Sequence, residues 1–267
     1  NASKLVIAIN IADEPHCQDF AQLAKTYQQA RQLFPTKRIF INLRPIPDFG
    51  NSTLTFGVGC ETYEQYVDTF IEVVKPNLLS YDYYPEFGRV GDGGTARGPD
   101  LRLMYLRNLE VLRVRAVELD VPLWMYFVSG SLFAASLEWN SERGCLQTVV
   151  DYPGGSSHCC ESHTDLTEAQ INWQVNAAVT FGVRGLIYFT YGAISDAGSG
   201  KHPGVVTAGG KPAPHYWEAQ RVNKRLANLG PTLMQLRSLA TVQLLCDAEF
   251  GHTGTAKRLL GRLKGSP

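Results

Sequence analysis

Residues 5–16 read LVIAINIADEPH, a run of uncharged, mostly apolar residues that ends at two adjacent carboxylates and a proline. The seven residues from Leu5 to Ile11 predict a strand buried on both faces, as in a parallel sheet. Asp13 and Glu14 stand at its carboxyl end. In α/β barrels and open parallel sheets, functional residues gather at that end because the loops leaving it converge. The stretch therefore predicts both a type of sheet and the position of a site.

The rest of the chain repeats this unit, with a helix after each strand. Periodic apolar residues and two capping boxes, Thr62-x-x-Gln65 and Thr167-x-x-Gln170, indicate the helices. The predicted strands are residues 5–11, 38–43, 78–82, 121–127 and 185–191, and the predicted helices are 17–33, 62–74, 100–119, 167–181 and 214–229, the last ended by Gly230-Pro231.

The predicted connections are asymmetric. Those from helix to strand have at most three residues, whereas four of those from strand to helix have 17 or more. Long loops on one face are typical of the mouth of a (β/α)8 TIM barrel. Since only five units are visible, we expect residues 1–239 to form strands four to eight of a barrel that lacks, or has truncated, its first three units. Residues 240–267 are expected to be a tail or the start of a truncated accessory β domain.

An open doubly wound sheet is the alternative architecture. Such a sheet normally carries a Gly-rich phosphate loop after its first strand. This chain has Asp13-Glu14-Pro15 at that position, which favours the barrel.

In this register the chain resembles the clan A barrel glycoside hydrolases and is similar to family 42 β-galactosidase-type barrels. In that clan the fourth strand ends in Asn-Glu-Pro, so the resemblance implies that Glu14 is the general acid/base and that Asp13 replaces the asparagine. It also implies a carbohydrate substrate and hydrolysis of O-glycosidic bonds without a cofactor. Softer matches are Asn42-Leu43 with Pro45, and residues 80–85 (SYDYYP), 188–191 (YFTY) and 210–212 (GKP).

The chemistry of glycoside hydrolysis fits the same residue. It uses two carboxyl groups, one protonated and one ionised, and burial or a neighbouring Asp13 raises the pKa of a glutamate. Because adjacent strand residues point to opposite faces, we expect only one of Asp13 and Glu14 to face the barrel axis, and we select Glu14. The alternative is that these acids merely cap the following helix.

The second carboxylate departs from the clan pattern. The clan has its nucleophilic Glu at the end of strand seven, but here VPLWMYF is followed by Val128-Ser129-Gly130. We therefore assign Asp82, which ends the strand two positions away from that of Glu14. The alternative is that Asp82 orients a neighbouring Tyr or Arg; Glu86 and Glu138 are weaker candidates because they lie in polar loops.

Polar and aromatic side chains near the strand ends are candidates for sugar binding. In VPLWMYF, either Trp124 and Tyr126 or the alternating apolar residues face the barrel axis, and polarity favours the former. About half of the aromatic residues are expected to lie in the core instead. The candidate substrate-binding residues are Asp13, His16, Asn42, Tyr84, Trp124, Tyr126, Tyr188 and Tyr191.

The amino-acid composition argues against several classes of binding partner. Lys plus Arg and Asp plus Glu both number 25, which argues against nucleic-acid and polybasic membrane binding. No apolar run is long enough to span a bilayer. Residues 158–163 (HCCESH) lack the spacing of a zinc site, so no metal is expected.

Six cysteines and two N-glycosylation patterns, at Asn1 and Asn51, favour a secreted or lysosomal compartment. Cys17 and Cys60 follow neighbouring strands and are one candidate disulfide pair; Cys145 with Cys159 or Cys160 is another.

The sequence thus predicts a glycoside hydrolase with a Glu14/Asp82 pair. Two alternatives stay open: a catalytically inactive barrel that binds carbohydrate or serves a structural role, and a lyase that uses Tyr or His as base.

Overall fold

The computed structural model describes residues 6–46, 56–85, 101–130, 137–140, 145–148, 166–196, 200–202 and 204–241. Its strands are β1 (Ala8–Asp13), β2 (Arg38–Leu43), β3 (Leu79–Asp82), β4 (Leu123–Val128), β5 (Leu137–Asn140), β6 (Cys145–Thr148), β7 (Gly185–Phe189), β8 (Ile194–Asp196) and β9 (Gly200–His202). Its helices are α1 (Phe20–Leu33), α2 (Tyr63–Val74), α3 (Leu101–Leu119), α4 (Glu168–Thr180) and α5 (Tyr216–Leu233), and a 3-10 turn at Cys17–Asp19 precedes α1.

Five parallel strands form one sheet in the order β1-β2-β3-β4-β7. Each strand pairs with the strand of the same sheet that follows it in the sequence. A doubly wound sheet instead reverses its strand order at a switch point. The sheet also curls, since Asn10 of β1 lies near enough to Tyr126 of β4, across two intervening strands, to lower the pKa of its hydroxyl. The predicted alternation of five strands and five helices is confirmed, and it forms a curled half-barrel.

Alternation along the strands separates a core from a polar concave face. Side chains such as Ile41, Tyr81 and Met125 point to the helices and are fully buried. Their neighbours Asn42 and Ser80 point to the concave face of the sheet and are buried as well. The apolar layer therefore fixes the helices to the sheet and leaves polar groups inside the curl.

Both predicted capping boxes are confirmed. The Thr62 and Thr167 hydroxyls accept hydrogen bonds from the backbone N–H groups of Gln65 and Gln170, as predicted for helix N-termini. The predicted end of the last helix at Gly230-Pro231 is wrong, because α5 runs on to Leu233 with Pro231 inside it. The helix continues past the proline since the Met234 N–H still donates to the Gly230 carbonyl, 2.9 Å away.

The expectation that the first strand is buried on both faces is also wrong. Val6 and Ile7 precede β1 and are exposed, Ile7 by 69%. Within β1, Ile9 and Ile11 are only half-buried. Among the described residues β1 pairs with β2 alone, so one of its edges has no strand beside it there.

The predicted Cys17–Cys60 pair is a disulfide, with Cα atoms 6.2 Å apart. It links the turn before α1 to the segment before α2, and both cysteines are buried. Cys145 begins β6, while Cys159, Cys160, Cys246 and both N-glycosylation patterns lie outside the described residues. No helix in the described part of the chain is both long and apolar enough to cross a membrane.

Removing this disulfide is expected to lower the free energy of unfolding by about 2–4 kcal/mol, because the bond closes a long loop in the unfolded chain. The double variant Cys17→Ser/Cys60→Ser measures this in urea denaturation under non-reducing conditions. Wild type treated with dithiothreitol is the control and should match the variant. Equal midpoints for oxidised wild type and the double variant would contradict the prediction.

Candidate active site

The candidate site lies where three neighbouring parallel strands end. Asp13 is the last residue of β1, Asn42 is the next to last of β2, and Asp82 is the last of β3. Asp13 is in register with Asn42, and Asn42 with Ser80. Because the strands are parallel, their carboxyl ends share one edge of the sheet, as the sequence predicted.

Asn42 joins two carboxyl groups. Its Nδ2 donates to Asp13 Oδ1 and to Asp82 Oδ1, both at 2.9 Å. Two oxygens bonded to one nitrogen at that distance are less than about 6 Å apart, so the Asp13 and Asp82 carboxyls are close neighbours. The Ser80 hydroxyl donates to Asn42 Oδ1 at 3.2 Å. Asn42 is 2% exposed and Asp82 9%, whereas Asp13 is exposed, so the bridge joins a buried carboxyl to one that contacts water.

Glu14 joins the cluster through an unusual backbone conformation. Its φ of 46° is left-handed, a region that non-glycine residues seldom adopt. Its N–H donates to the Asn42 carbonyl at 2.9 Å, and its own carbonyl accepts from Arg44 Nε at 2.6 Å. An ion pair of 3.7 Å joins Arg44 to the Glu14 carboxylate. Backbone and side chain are therefore both held by β2 and the residue that follows it.

The expectation that Glu14, and not Asp13, faces the barrel axis is wrong for Asp13. Asp13 points to the concave face, since it bonds Asn42. Glu14 follows the end of β1, where its left-handed φ breaks the strand alternation. The negative charges of both acids raise the pKa of Asp82, so both act on the same group.

Asp13 and Glu14 do not cap the following helix. The N-cap of the 3-10 turn is His16, whose backbone N–H donates to Asp19 at 3.0 Å. The carboxyl groups of Asp13 and Glu14 instead bond Asn42 and pair with Arg44.

Burial raises the pKa of two carboxyls in this cluster, those of Asp82 and Glu14. It raises the pKa of Asp82 from 3.8 to about 7, the Glu14 charge adds to this, and the Asn42 hydrogen bond opposes it. Burial also raises the pKa of Glu14, but there the positive charge of Arg44 opposes it. The arrangement therefore favours a proton on Asp82 and negative charge on Glu14 near neutral pH.

Asp82 also hydrogen-bonds the Tyr84 hydroxyl, whose pKa is raised by burial and by the Asp82 charge. The alternative in which Asp82 orients a neighbouring tyrosine is therefore supported by this contact with Tyr84. Tyr84 in turn stacks on Phe189 of β7, with ring centroids 5.0 Å apart.

Trp124 and Tyr126 lie on the concave face, as polarity predicted. The alternate side chains Leu123, Met125 and Phe127 are buried toward the helices. Tyr126 is in register with Asp82, and its pKa is raised by burial and then by the Asp13 charge. Trp124 contacts Phe40 at 5.8 Å between ring centroids, deeper in the half-barrel.

Three predicted binding residues lie at the margin of the cluster or outside it. The Tyr188 hydroxyl donates to Asn223 Oδ1 of α5 at 2.9 Å, so this ring is on the helix-facing side of β7 and not in the site. Tyr191 is 67% exposed beyond the end of β7. His16 pairs with Asp19 at the surface, and its charge has only a small effect on Glu14.

Sequence reasoning missed Arg44, Ser80 and Tyr66. The Tyr66 hydroxyl donates to the Pro15 carbonyl at 2.8 Å and accepts from the Arg44 N–H at 3.2 Å, so it holds both strand ends. Arg44 had a usable signal, because it follows an apolar strand just as Glu14 does.

The end of β4 carries no acid. Ser129 is buried there and its hydroxyl donates to the Thr190 carbonyl at 3.2 Å. Glu138 falls in β5, of which only the backbone is described, and Glu86 and residues 158–163 lie outside the described residues. Within the described part, no three His, Cys, Asp or Glu residues are grouped to hold a metal ion.

No family model matches the chain, and no curated protein matches it. Similar solved structures include the β-galactosidase of the psychrophilic Marinomonas ef1, at 13% identity and a TM-score of 0.47, covering 84% of this chain and 30% of that one. Another is the polyextremophilic β-galactosidase of the Antarctic haloarchaeon Halorubrum lacusprofundi, at 15% identity and a TM-score of 0.40, covering 80% of this chain and 28% of that one. This chain spans less than a third of either enzyme.

Proposed function

We propose that the protein is a glycoside hydrolase in which Glu14 and Asp82 form the carboxyl pair. The observation that carries the proposal is the convergence of these groups at one edge of the parallel sheet, where the Glu14 charge raises the pKa of a buried Asp82. Proton donor and carboxylate are the two groups that glycosidic cleavage requires. Half-buried Trp124 and Tyr126 on the same concave face supply surfaces on which a sugar ring can stack.

The electrostatics favour a division of roles that differs from the resemblance. Asp82 holds its proton up to about pH 7 and is suited to protonate the leaving oxygen. Burial raises the pKa of Glu14, but the positive charge of Arg44 opposes the rise, which makes Glu14 the better suited of the two to act as nucleophile or base. Activity is then expected between the pKa of Glu14 and that of Asp82, and it should fall as the pH rises through about 7.

The wider assignment is part of the same proposal. The chain supplies strands four to eight of a clan A barrel of the family 42 type, within residues 1–239, and residues 240–267 belong to a tail or accessory β domain. The Asp13-Glu14-Pro15 strand end and the sequential parallel strand order support this. The Cys17–Cys60 disulfide supports a secreted or lysosomal location.

A catalytically inactive, carbohydrate-binding barrel is the second candidate. The observation that favours it is Ser129, which fills the end of β4 with a neutral, hydrogen-bonded group where the clan has an acid. In this protein Asp82 would then hold Tyr84 in place and would not take part in catalysis.

Glu14→Gln is expected to lower the hydrolysis of aryl glycosides at least about 1,000-fold, because it removes the ionised carboxylate while keeping the side-chain shape. Hydrolysis of a panel of aryl β- and α-glycosides, with sugar binding by calorimetry, tests this. Glu64→Gln, at a partly exposed position on α2 paired with Arg107, is the matched control and should retain activity. Hydrolysis indifferent to Glu14→Gln would overturn the assignment, and sugar binding without turnover by the wild type would favour the inactive barrel.

A further inference from the structure

Asn42 uses its side chain entirely within the protein. A primary amide has two N–H donors and one carbonyl acceptor. Both donors of Asn42 are taken by Asp13 and Asp82, and its carbonyl accepts from Ser80. With 2% of its surface exposed, it has no donor left for a sugar hydroxyl. These contacts therefore do not support the prediction from the sequence that Asn42 binds the sugar.

The same residue also holds the third acid. The backbone carbonyl of Asn42 accepts the N–H of Glu14 at 2.9 Å, so one residue of β2 contacts Asp13, Glu14 and Asp82. Its amide orientation follows from the partners, because a flipped amide would bring its carbonyl against two carboxyl oxygens. The Ser80 hydroxyl stabilises the observed orientation from the opposite side.

We infer that Asn42 is the positioning residue of this site: it fixes the Asp13 and Asp82 carboxyls relative to one another and does not bind substrate. The inference deepens the proposed hydrolase function and rests on it. A hydrogen bond to an ionised partner is stronger than one between neutral groups. The bond from Asn42 therefore lowers the pKa of Asp82, and the bond to Asp13 fixes the position of the second carboxyl. The other titratable groups coupled to this pair are Glu14, Tyr63, Tyr66, Tyr81, Tyr84 and Tyr126. Arg44 acts on Glu14.

The first test follows the protonation of the ligand-free protein. Asn42→Asp keeps the side-chain shape but replaces the donor with a further carboxyl, and Ser80→Ala is a milder change that frees only the amide carbonyl. We expect ¹³C NMR titration of the aspartate carboxyls to show the midpoint of Asp82 displaced upward by at least about one pH unit in Asn42→Asp, and by less in Ser80→Ala. Asn108→Asp is the matched control, since this buried asparagine bonds Ile46 and Met104 instead, and it should leave those midpoints unchanged.

The second test separates positioning from sugar binding. A positioning role predicts a kcat about 100-fold lower in Asn42→Asp with KM within about 3-fold of wild type. Unmoved carboxyl titrations in both variants, or a raised KM with unchanged kcat, would overturn the inference. If wild type hydrolyses no glycoside, the proposed function fails, but the NMR titration still tests the positioning role. If Asn42→Asp does not fold, the Ser80→Ala titration decides.

Discussion

Replacing Asp82 by asparagine is expected to stabilise the protein at alkaline pH and to remove most of its hydrolysis of unactivated glycosides. Both effects have one cause: a buried carboxyl whose charged form is disfavoured by burial and by the charge of Glu14. An amide cannot ionise, and its oxygen still accepts from Asn42. The Asp82→Asn variant should therefore lack the proton donor. It should also avoid the free-energy cost of ionising a buried carboxyl at alkaline pH.

The sign of the pH dependence follows from the two states of the chain. The unfolded carboxyl ionises near its ordinary pKa of 3.8, whereas folded Asp82 keeps its proton to about 7. Between these values the folded state binds a proton that the unfolded state lacks, so the free energy of unfolding falls as the pH rises. The loss is on the order of 4 kcal/mol across the interval and then stays constant. Asp82→Asn should be about 1–3 kcal/mol more stable than wild type at pH 8, since the new N–H group has no settled acceptor, and no more stable at pH 4.

Urea denaturation at both pH values checks the stability, with Asp68→Asn as the control. Asp68 pairs with Arg115 at the surface, and such pairs contribute about 0–1 kcal/mol. For the activity, alkyl glycosides should lose about 100- to 10,000-fold, while dinitrophenyl glycosides, which leave without protonation, should lose less than about 10-fold. A variant less stable than wild type at pH 8, or an equal loss on both substrates, would show that Asp82 is not the proton donor described here.

The order of the strands, the helix starts and the meeting of acids at one edge were predictable, because each depends on a local pattern. Apolar runs and capping boxes specify elements, and a parallel sheet brings consecutive strand ends together. The role of Asn42 was not predictable in this way. It depends on the register of β2 against two neighbours, which spacing along the chain does not determine.

The positions of Tyr188 and Glu14 show the same limit. In residues 185–191 (GLIYFTY), either set of alternate side chains could face the helices. Tyr188 faces them because it is in register with Phe127 of β4, which is buried on that side. Strand alternation also led us to select Glu14 over Asp13 as the acid that faces the barrel axis. Alternation does not extend to Glu14, because Glu14 has a left-handed backbone, a conformation that glutamate seldom adopts and that its tertiary contacts impose.

Glu14→Gly is expected to abolish hydrolysis of all glycosides while raising the free energy of unfolding by about 0.5–1.5 kcal/mol. Glycine adopts a positive φ without the cost of a left-handed side-chain residue, which is about 1–2 kcal/mol. Both backbone hydrogen bonds of Glu14, to Asn42 and from Arg44, involve main-chain atoms at this position and are kept. The lost ion pair with Arg44 is partly exposed and contributes little.

Lys75→Gly is the matched control, because Lys75 is left-handed at the end of α2, with a φ of 53°, and lies outside the site. The Lys75→Gly variant should be stabilised to a similar degree and should keep full activity.

A rescue experiment tests the role of the Glu14 carboxylate. Because Glu14→Gly lacks this carboxylate but leaves its space open, added formate should restore part of the turnover of Glu14→Gly on dinitrophenyl glycosides. Formate should restore no turnover in Asp82→Asn. Destabilisation of Glu14→Gly beside a stabilised Lys75→Gly would mean that the Arg44 ion pair outweighs the strain. Rescue of Asp82→Asn in place of Glu14→Gly would exchange the roles of the two carboxyls, because formate replaces only a group that acts as an ionised carboxylate.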